Sequence, residues 1–279
     1  MKKPNFIYIG PPKTGSKWIT KVLLSHPEIF VSGIDMYFFD RDENFAKGYP
    51  WYNNFFKHAS DKHFAVGELS HDYIYSLEAA KRIYDFDKNM KIIINLRNPV
   101  DLCFSVYKAM IKYGETSMSF SNAMINKETT HGLELMDYGK YYQNVLNYTN
   151  LFPSDNILFL NYDDLLSDKK SFMKKIYDFL GVNDFPELSN IPAYNTAKES
   201  RMKILGILAK ASANFLRKIN LLQVLRILKN SSSLKKLLFK KRANNTINQN
   251  DREKFKKYFL EDLKRVENLS KLDLSNWYL

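Results

Sequence analysis

The chain reads as α/β: a doubly wound parallel sheet flanked by helices, with a basic helical appendage near the C-terminus. Three observations predict it. Apolar runs at residues 5–9, 64–67, 91–96 and 156–161 alternate with helical patterns at 16–25, 76–86, 99–113, 137–150, 168–180 and 252–268, and such alternation produces parallel strands with helices on both faces. The first run feeds a glycine-bounded loop and then a helix start, a P-loop-type junction suited to an anion. The third is charge: twelve lysines and arginines fall within residues 201–242, which hold no carboxylate, and they equal the whole net charge of +12.

Taken in order, Phe6 to Ile9 is a continuous apolar run fit for a core strand, and Trp18, Ile19, Val22 and Leu23 have the spacing of a helix packed on that strand. Between them lie Gly10, Pro11, Pro12, Lys13, Thr14, Gly15 and Ser16. Free backbone N–H groups at the helix start share space with the Lys13 ammonium. Gly10 and Gly15 have the GxxxxG spacing of a nucleotide-triphosphate loop, but Ser16 and Lys17 follow where that loop needs lysine and then a hydroxyl for Mg²⁺. The better-placed lysine precedes the second glycine, in Lys13-Thr14-Gly15-Ser16.

A second junction spans residues 91–105. Ile92 to Leu96 suits a central strand, Asn98 can cap a helix and Pro99 fits its first position. Arg97 then lies at the carboxyl end of a strand, where open α/β sheets bind ligands, and its planar fork suits a phosphate. Ser105 follows about two helical turns later, able to face the same side.

These two segments resemble the 5′-phosphosulfate and 3′-phosphate segments of the sulfotransferases that use 3′-phosphoadenosine 5′-phosphosulfate, in the bacterial-like form of the glycan and heparan branch. Ile34 to Asp40 is similar to that branch's Lys-Glu-x-His-Phe-Phe-Asp run, and Gly67-Glu68-Leu69-Ser70 to its Gly-Glu-Lys-Thr/Ser. Asn156 to Gly181, with Tyr162-Asp163-Asp164-Leu165, and Leu272 to Trp277 at the close also resemble the family. The likeness covers roughly residues 5–195 and 250–279.

The resemblance implies sulfuryl transfer to a hydroxyl or amine of a carbohydrate, glycolipid or small acceptor, releasing adenosine 3′,5′-bisphosphate. It implies donor contacts from Pro12, Lys13, Thr14, Gly15, Ser16, Lys17, Trp18, Arg97 and Ser105. Lys13 would offset charge on the leaving phosphate, helped by the N–H groups of Thr14, Gly15 and Ser16 and the hydroxyls of Thr14 and Ser16, and no metal ion is required because a sulfuryl carries less charge than a phosphoryl. The family's base falls on Asp35, where Ile34 replaces the lysine, aspartate the glutamate and Tyr37 the histidine. Glu68 is the second candidate for the base, and Leu69 replaces the lysine of heparan-type enzymes.

At 279 residues, 45% of them hydrophobic, the chain is expected to form a single domain over 1–279, with the basic segment 201–242 inside it. Leu205, Leu208, Ala211, Phe215 and Ile219 give that segment an apolar stripe, so three readings stand: contact with an anionic membrane, packing on the core, or gathering of an anionic acceptor. Nucleic acid is not expected as a partner. No signal peptide or membrane span is read, and the lone Cys103 suits a reducing compartment, so the expected location is cytoplasmic or peripheral at a membrane. The five histidines show no metal-ligand spacing. Tyr49, Trp51 and Tyr52 stack on a sugar or pack in the core. Two other functions compete: a P-loop kinase, with Ile157 to Asp163 as its second motif, and a non-catalytic membrane adaptor.

Overall fold

The computed structural model describes residues 2–33, 35–185, 198–200, 239–241 and 246–279, of which 198–200 and 239–241 are described as backbone. In chain order the elements are β1 (Phe6–Tyr8), α1 (Ser16–Ser25), β2 (Ile29–Val31), α2 (Asp42–Phe45), α3 (Gly48–Asn53), β3 (Ala65–Leu69), α4 (Leu77–Phe86) and β4 (Lys91–Leu96). There follow α5 (Pro99–Tyr113), α6 (Phe120–Ile125), β5 (Thr129–Thr130), β6 (Leu133–Glu134), α7 (Tyr142–Thr149), β7 (Ile157–Asn161), α8 (Tyr162–Ser167) and α9 (Lys169–Leu180). Two short strands, β8 (Lys198–Ser200) and β9 (Phe239–Lys241), and a long helix, α10 (Gln249–Ser270), complete the set. Apart from the β9 backbone, the basic segment 201–242 lies outside the described residues, and so does Ile34.

Two compact units emerge, and the first contains residues 1–102, 139–194 and 256–279. Its centre is a five-stranded sheet in the order β2-β3-β1-β4-β7, and every pairing is parallel. The predicted α/β doubly wound architecture is therefore the observed one. Phe6, Tyr8, Ile93 and Leu160 pack on one face with Trp18, Ile19, Val22 and Leu23 of α1 and Phe172, Met173, Ile176 and Tyr177 of α9. Ile7, Ile92 and Ile94 are also wholly buried, and alternation along a strand turns them to the opposite face. A sheet buried on both faces explains why its strands read as unbroken apolar runs.

From β1 the chain crosses to the β2 edge and returns through β3, then passes to the other side of β1 to form β4. The connections leaving β1 and β4 therefore diverge, and the crevice at their carboxyl ends is the switch point at which such sheets bind ligands. Strand β2 was absent from the sequence reading. Its three residues are too short a run to register as alternation or as a buried strand.

The second unit contains residues 103–138 and 195–255. Within it Phe120 meets Phe104, Tyr107 and Phe255 at ring-centroid distances of 5.2, 5.4 and 5.5 Å. The β5–β6 hairpin is held by Thr130, whose hydroxyl donates to Glu115 at 2.6 Å and whose carbonyl accepts from Tyr138 Oη at 2.9 Å. Strands β8 and β9 pair antiparallel. Cys103 is buried, as expected of a small apolar residue.

Candidate active site

The loop after β1 is shaped by backbone that few residues tolerate. Lys13 has φ +68° and Gly15 φ +81°, both in the left-handed region that disfavours a Cβ. At Gly15 a side chain would also collide with Leu165 Cδ2, 2.7 Å from an ideal Cβ. Gly15 is the N-cap of α1, with no side-chain cap, and no acidic residue lies in the first turn. The first N–H groups and the positive end of the helix dipole are thus left for an external anion. Lys13 and Lys17 are exposed, while Pro12 and Ser16 are half-buried.

Thr14 has a different task from the one expected of its hydroxyl. Its side chain is fully buried, and Oγ1 donates to the Pro11 carbonyl at 2.8 Å and lies 3.1 Å from the Tyr8 hydroxyl. Asn95 Nδ2 holds the Thr14 carbonyl at 3.0 Å. Burial pushes the Tyr8 phenol up to about 12, so this hydroxyl stays protonated at neutral pH. Thr14 therefore fixes the loop from within, and what it offers a ligand is its main chain. Trp18 is likewise inside, 5% exposed and packed in the core, with Lys169 Nζ 5.6 Å from its ring.

Across the crevice Asn98 Oδ1 accepts from the Val100 N–H at 3.0 Å and Pro99 opens α5, as the sequence predicts. Arg97 leaves the end of β4 and donates from Nη1 to the Lys13 carbonyl at 2.7 Å, with its guanidinium 4.8 Å from the Tyr162 ring centroid. Among the described residues no carboxylate pairs with Arg97. The two segments are thus joined side by side. Ser105 is half-buried on α5 and belongs to the second unit.

The third group of residues gathers around Glu68, which lies in β3, all five of whose residues are buried. Its Oε1 accepts from the Tyr52 and Tyr73 hydroxyls at 2.8 and 3.2 Å, and its Oε2 accepts from Ser70 Oγ at 2.5 Å. Burial raises its pKa to about 7, although those three hydroxyls pull it back. The same hydroxyls carry the next loop: Phe38 and Phe39 donate their N–H groups to Tyr73 Oη at 2.8 and 3.3 Å, and Met36 donates to Ser70 Oγ at 3.4 Å. Glu68 is thus fully enclosed with both oxygens engaged, and through Ser70 and Tyr73 it braces the Met36–Phe39 stretch that follows Asp35.

Asp35 itself is partly exposed, with His71 Nδ1 3.6 Å from its Oδ1, and His71 Nε2 lies 3.6 Å from Asp72. Asp40, further along, is mostly buried, which raises its carboxyl to about 6 against the pull of Arg41. Tyr52, one of the aromatics read as sugar-stacking or core, is core: it is fully buried and stacks on Phe38 at 4.6 Å. Trp51 stacks on Phe38 at 5.9 Å and carries Lys47 Nζ 4.5 Å from its ring. Asp163, which a kinase reading needs as a metal-facing carboxylate, accepts from the Trp277 indole N–H at 2.7 Å.

The residues that sequence reasoning missed are Tyr8, Asn95 and Tyr73. One signal pointed toward part of this set: a glutamate inside a wholly apolar parallel strand requires polar partners. Comparison with known proteins agrees with the geometry. A family model described as a sulfotransferase domain matches residues 3–267. Heparan sulfate glucosamine 3-O-sulfotransferase 6 of Mus musculus is 27% identical over 186 residues, covering 64% of this chain and 52% of the relative. Heparan sulfate glucosamine 3-O-sulfotransferase 3B1 of Homo sapiens is 28% identical over 184 residues, covering 64% and 46%. The chain thus spans about half the length of the curated relatives it matches. A sulfotransferase from Alicyclobacillus acidocaldarius, known from its crystal structure, superposes over 100% of both chains with a TM-score of 0.70 at 22% identity.

Proposed function

The chain belongs to the sulfotransferase-domain family, and from that premise we propose that it moves a sulfuryl group from 3′-phosphoadenosine 5′-phosphosulfate to a hydroxyl or amine of a carbohydrate or glycolipid-type acceptor. The family match spans both units, in keeping with residues 1–279 acting as one domain. The observation that carries the reading is the union of Lys13 and Arg97 at the switch point of the sheet. An uncapped helix start and one exposed lysine suit a 5′-phosphate, and an arginine with no carboxylate partner among the described residues suits a second phosphate beside it.

The donor supplies an activated sulfuryl group when bound. The Lys13 ammonium and the N–H groups of Thr14, Gly15 and Ser16 offset the charge that builds on the phosphate as the sulfur–oxygen bond breaks. Asp35 takes the proton of the acceptor group, held in place by the Glu68 network. Among the described residues no cluster is assigned to a metal. The proposed location is cytoplasmic. Among the described residues no helix is long and apolar enough to cross a membrane, and the cations of 201–242 suit peripheral contact with anionic lipid, roughly 1 kcal/mol for each one near the surface.

Thermal melts test the reading. Adenosine 3′,5′-bisphosphate without Mg²⁺ is expected to raise the melting temperature well above the rise given by ATP with Mg²⁺. The reverse order would favour a kinase. Sulfate transfer from labelled donor to a panel of glycans and lipids then identifies the acceptor, and flotation with anionic vesicles at low and high salt tests the basic segment.

A further inference from the structure

The C-terminal helix reaches Arg97 through a tyrosine. The Arg97 carbonyl falls between the last sheet register, Leu96 opposite Asn161, and the helical bond from Leu102 N–H to the Asn98 carbonyl. It is held instead by Tyr141, a fully buried residue whose Oη donates to it at 2.7 Å. The N–H of Tyr141 donates to Asp262 Oδ2 at 2.8 Å, and the N–H of Tyr142 reaches both oxygens of the same carboxylate at 3.2 Å. Asp262 sits on α10, where Arg265 also lies 5.2 Å from the Tyr142 ring.

Packing at Gly139 keeps this bridge tight. A Cβ there would lie 2.7 Å from Phe259 Cζ of α10 and 2.9 Å from Pro99 Cβ, the residue that opens α5. The segment 139–142 is therefore wedged between the C-terminal helix and the turn that carries Arg97. That turn is held at two points: the Arg97 carbonyl by Tyr141 and its guanidinium by the Lys13 carbonyl, each at 2.7 Å.

We propose that Tyr141 and Asp262 are positioning residues for donor recognition: α10, acting through them, aims the Arg97 guanidinium and thereby sets the preference for a nucleotide with a 3′-phosphate. The inference rests on the proposed donor site, in which Arg97 meets that phosphate. A long side chain fixed before binding loses less rotamer freedom on contact. Removing the tyrosine hydroxyl takes this donor from the part-buried Arg97 carbonyl and lets the peptide turn.

The test is titration of adenosine 3′,5′-bisphosphate and of adenosine 5′-monophosphate into the full chain by calorimetry. The proteins are wild type, Tyr141→Phe, Asp262→Ala, Asp262→Asn and the Tyr141→Phe/Asp262→Ala pair. Tyr141→Phe and Asp262→Ala are each expected to cut the preference for the bisphosphate by roughly tenfold, the scale of one lost hydrogen bond to a charged site, with monophosphate affinity unchanged. Asp262→Asn keeps an acceptor and is expected to stay within about twofold of wild type. The double variant should be no worse than Tyr141→Phe, since the two residues act in one chain of contacts. An unchanged preference in Tyr141→Phe, or an equal loss for both nucleotides, overturns the proposal. A wild type without any preference shows instead that the donor-site reading has failed, before a variant is examined. If Tyr141→Phe does not fold, Asp262→Ala against Asp262→Asn decides in the same way.

Discussion

Arg97 Nη1 donates to the main-chain carbonyl of Lys13 at 2.7 Å, so the two motifs are bound to each other as well as being neighbours. The contact uses the lysine's backbone carbonyl and not its ammonium. It also consumes only part of the guanidinium fork, which keeps donors in hand for a phosphate.

Arg97→Ala is accordingly expected to lose most discrimination between 3′-phosphorylated and plain adenosine nucleotides. Arg97→Lys is expected to recover little, because a point charge replaces a planar fork. Competition titration of both nucleotides measures it. A variant that still discriminates would place the 3′-phosphate elsewhere.

Lys13 combines a side chain proposed to act in transfer with an unfavourable backbone, φ +68°. Lys13→Gly is expected to raise stability by about 1 kcal/mol, the typical cost of a non-glycine residue in that region, while sulfate transfer falls by at least a hundredfold. Urea denaturation and a transfer assay on the same preparation separate the two effects. A Lys13→Gly protein that is less stable, or still active, would contradict this division of labour.

Much of this site was legible in the sequence, and the remainder was not for a physical reason. The strands, the loop glycines, Asn98 and Arg97 were marked by local signals, namely apolar runs, special dihedrals and caps. The sequence points to Thr14 as a hydroxyl facing the anion, yet its hydroxyl turns inward to Pro11 and Tyr8. Glu68 was read as a carboxylate at a strand end, yet β3 continues through Leu69 and buries it. Tyr73 and Tyr141 left no trace, because a hydroxyl that satisfies a distant main-chain group creates no periodicity around itself.

The proton acceptor separates Asp35 from Glu68. Asp35→Asn is expected to lower turnover by roughly 10²-fold or more, the usual weight of a general base, with donor affinity kept. Glu68→Gln retains acceptors for the tyrosine hydroxyls and is expected to keep measurable turnover. Steady-state kinetics with separate donor titration tests both, and an active Asp35→Asn beside a dead Glu68→Gln would return the base to Glu68.

Glu68 also ties stability to pH. Its carboxyl titrates near 7 in the folded chain against an ordinary value of 4.5, because burial disfavours the charged form. The folded state thus holds this proton more tightly than the unfolded state. The resulting stabilisation is complete below pH 4.5 and is lost as pH rises through about 7. A shift of that size corresponds to about 3 kcal/mol. Asp40, raised to about 6 by burial, acts in the same direction. Urea midpoints between pH 5 and 8 are therefore expected to fall steeply in wild type and much less in Glu68→Gln, where the shares of Asp40 and of Asp262, whose carboxyl burial also raises, remain. Equal slopes in the two proteins would mean that Glu68 is charged throughout that range. The hydroxyls of Ser70, Tyr52 and Tyr73 would then be holding a permanent buried anion under the Asp35 loop.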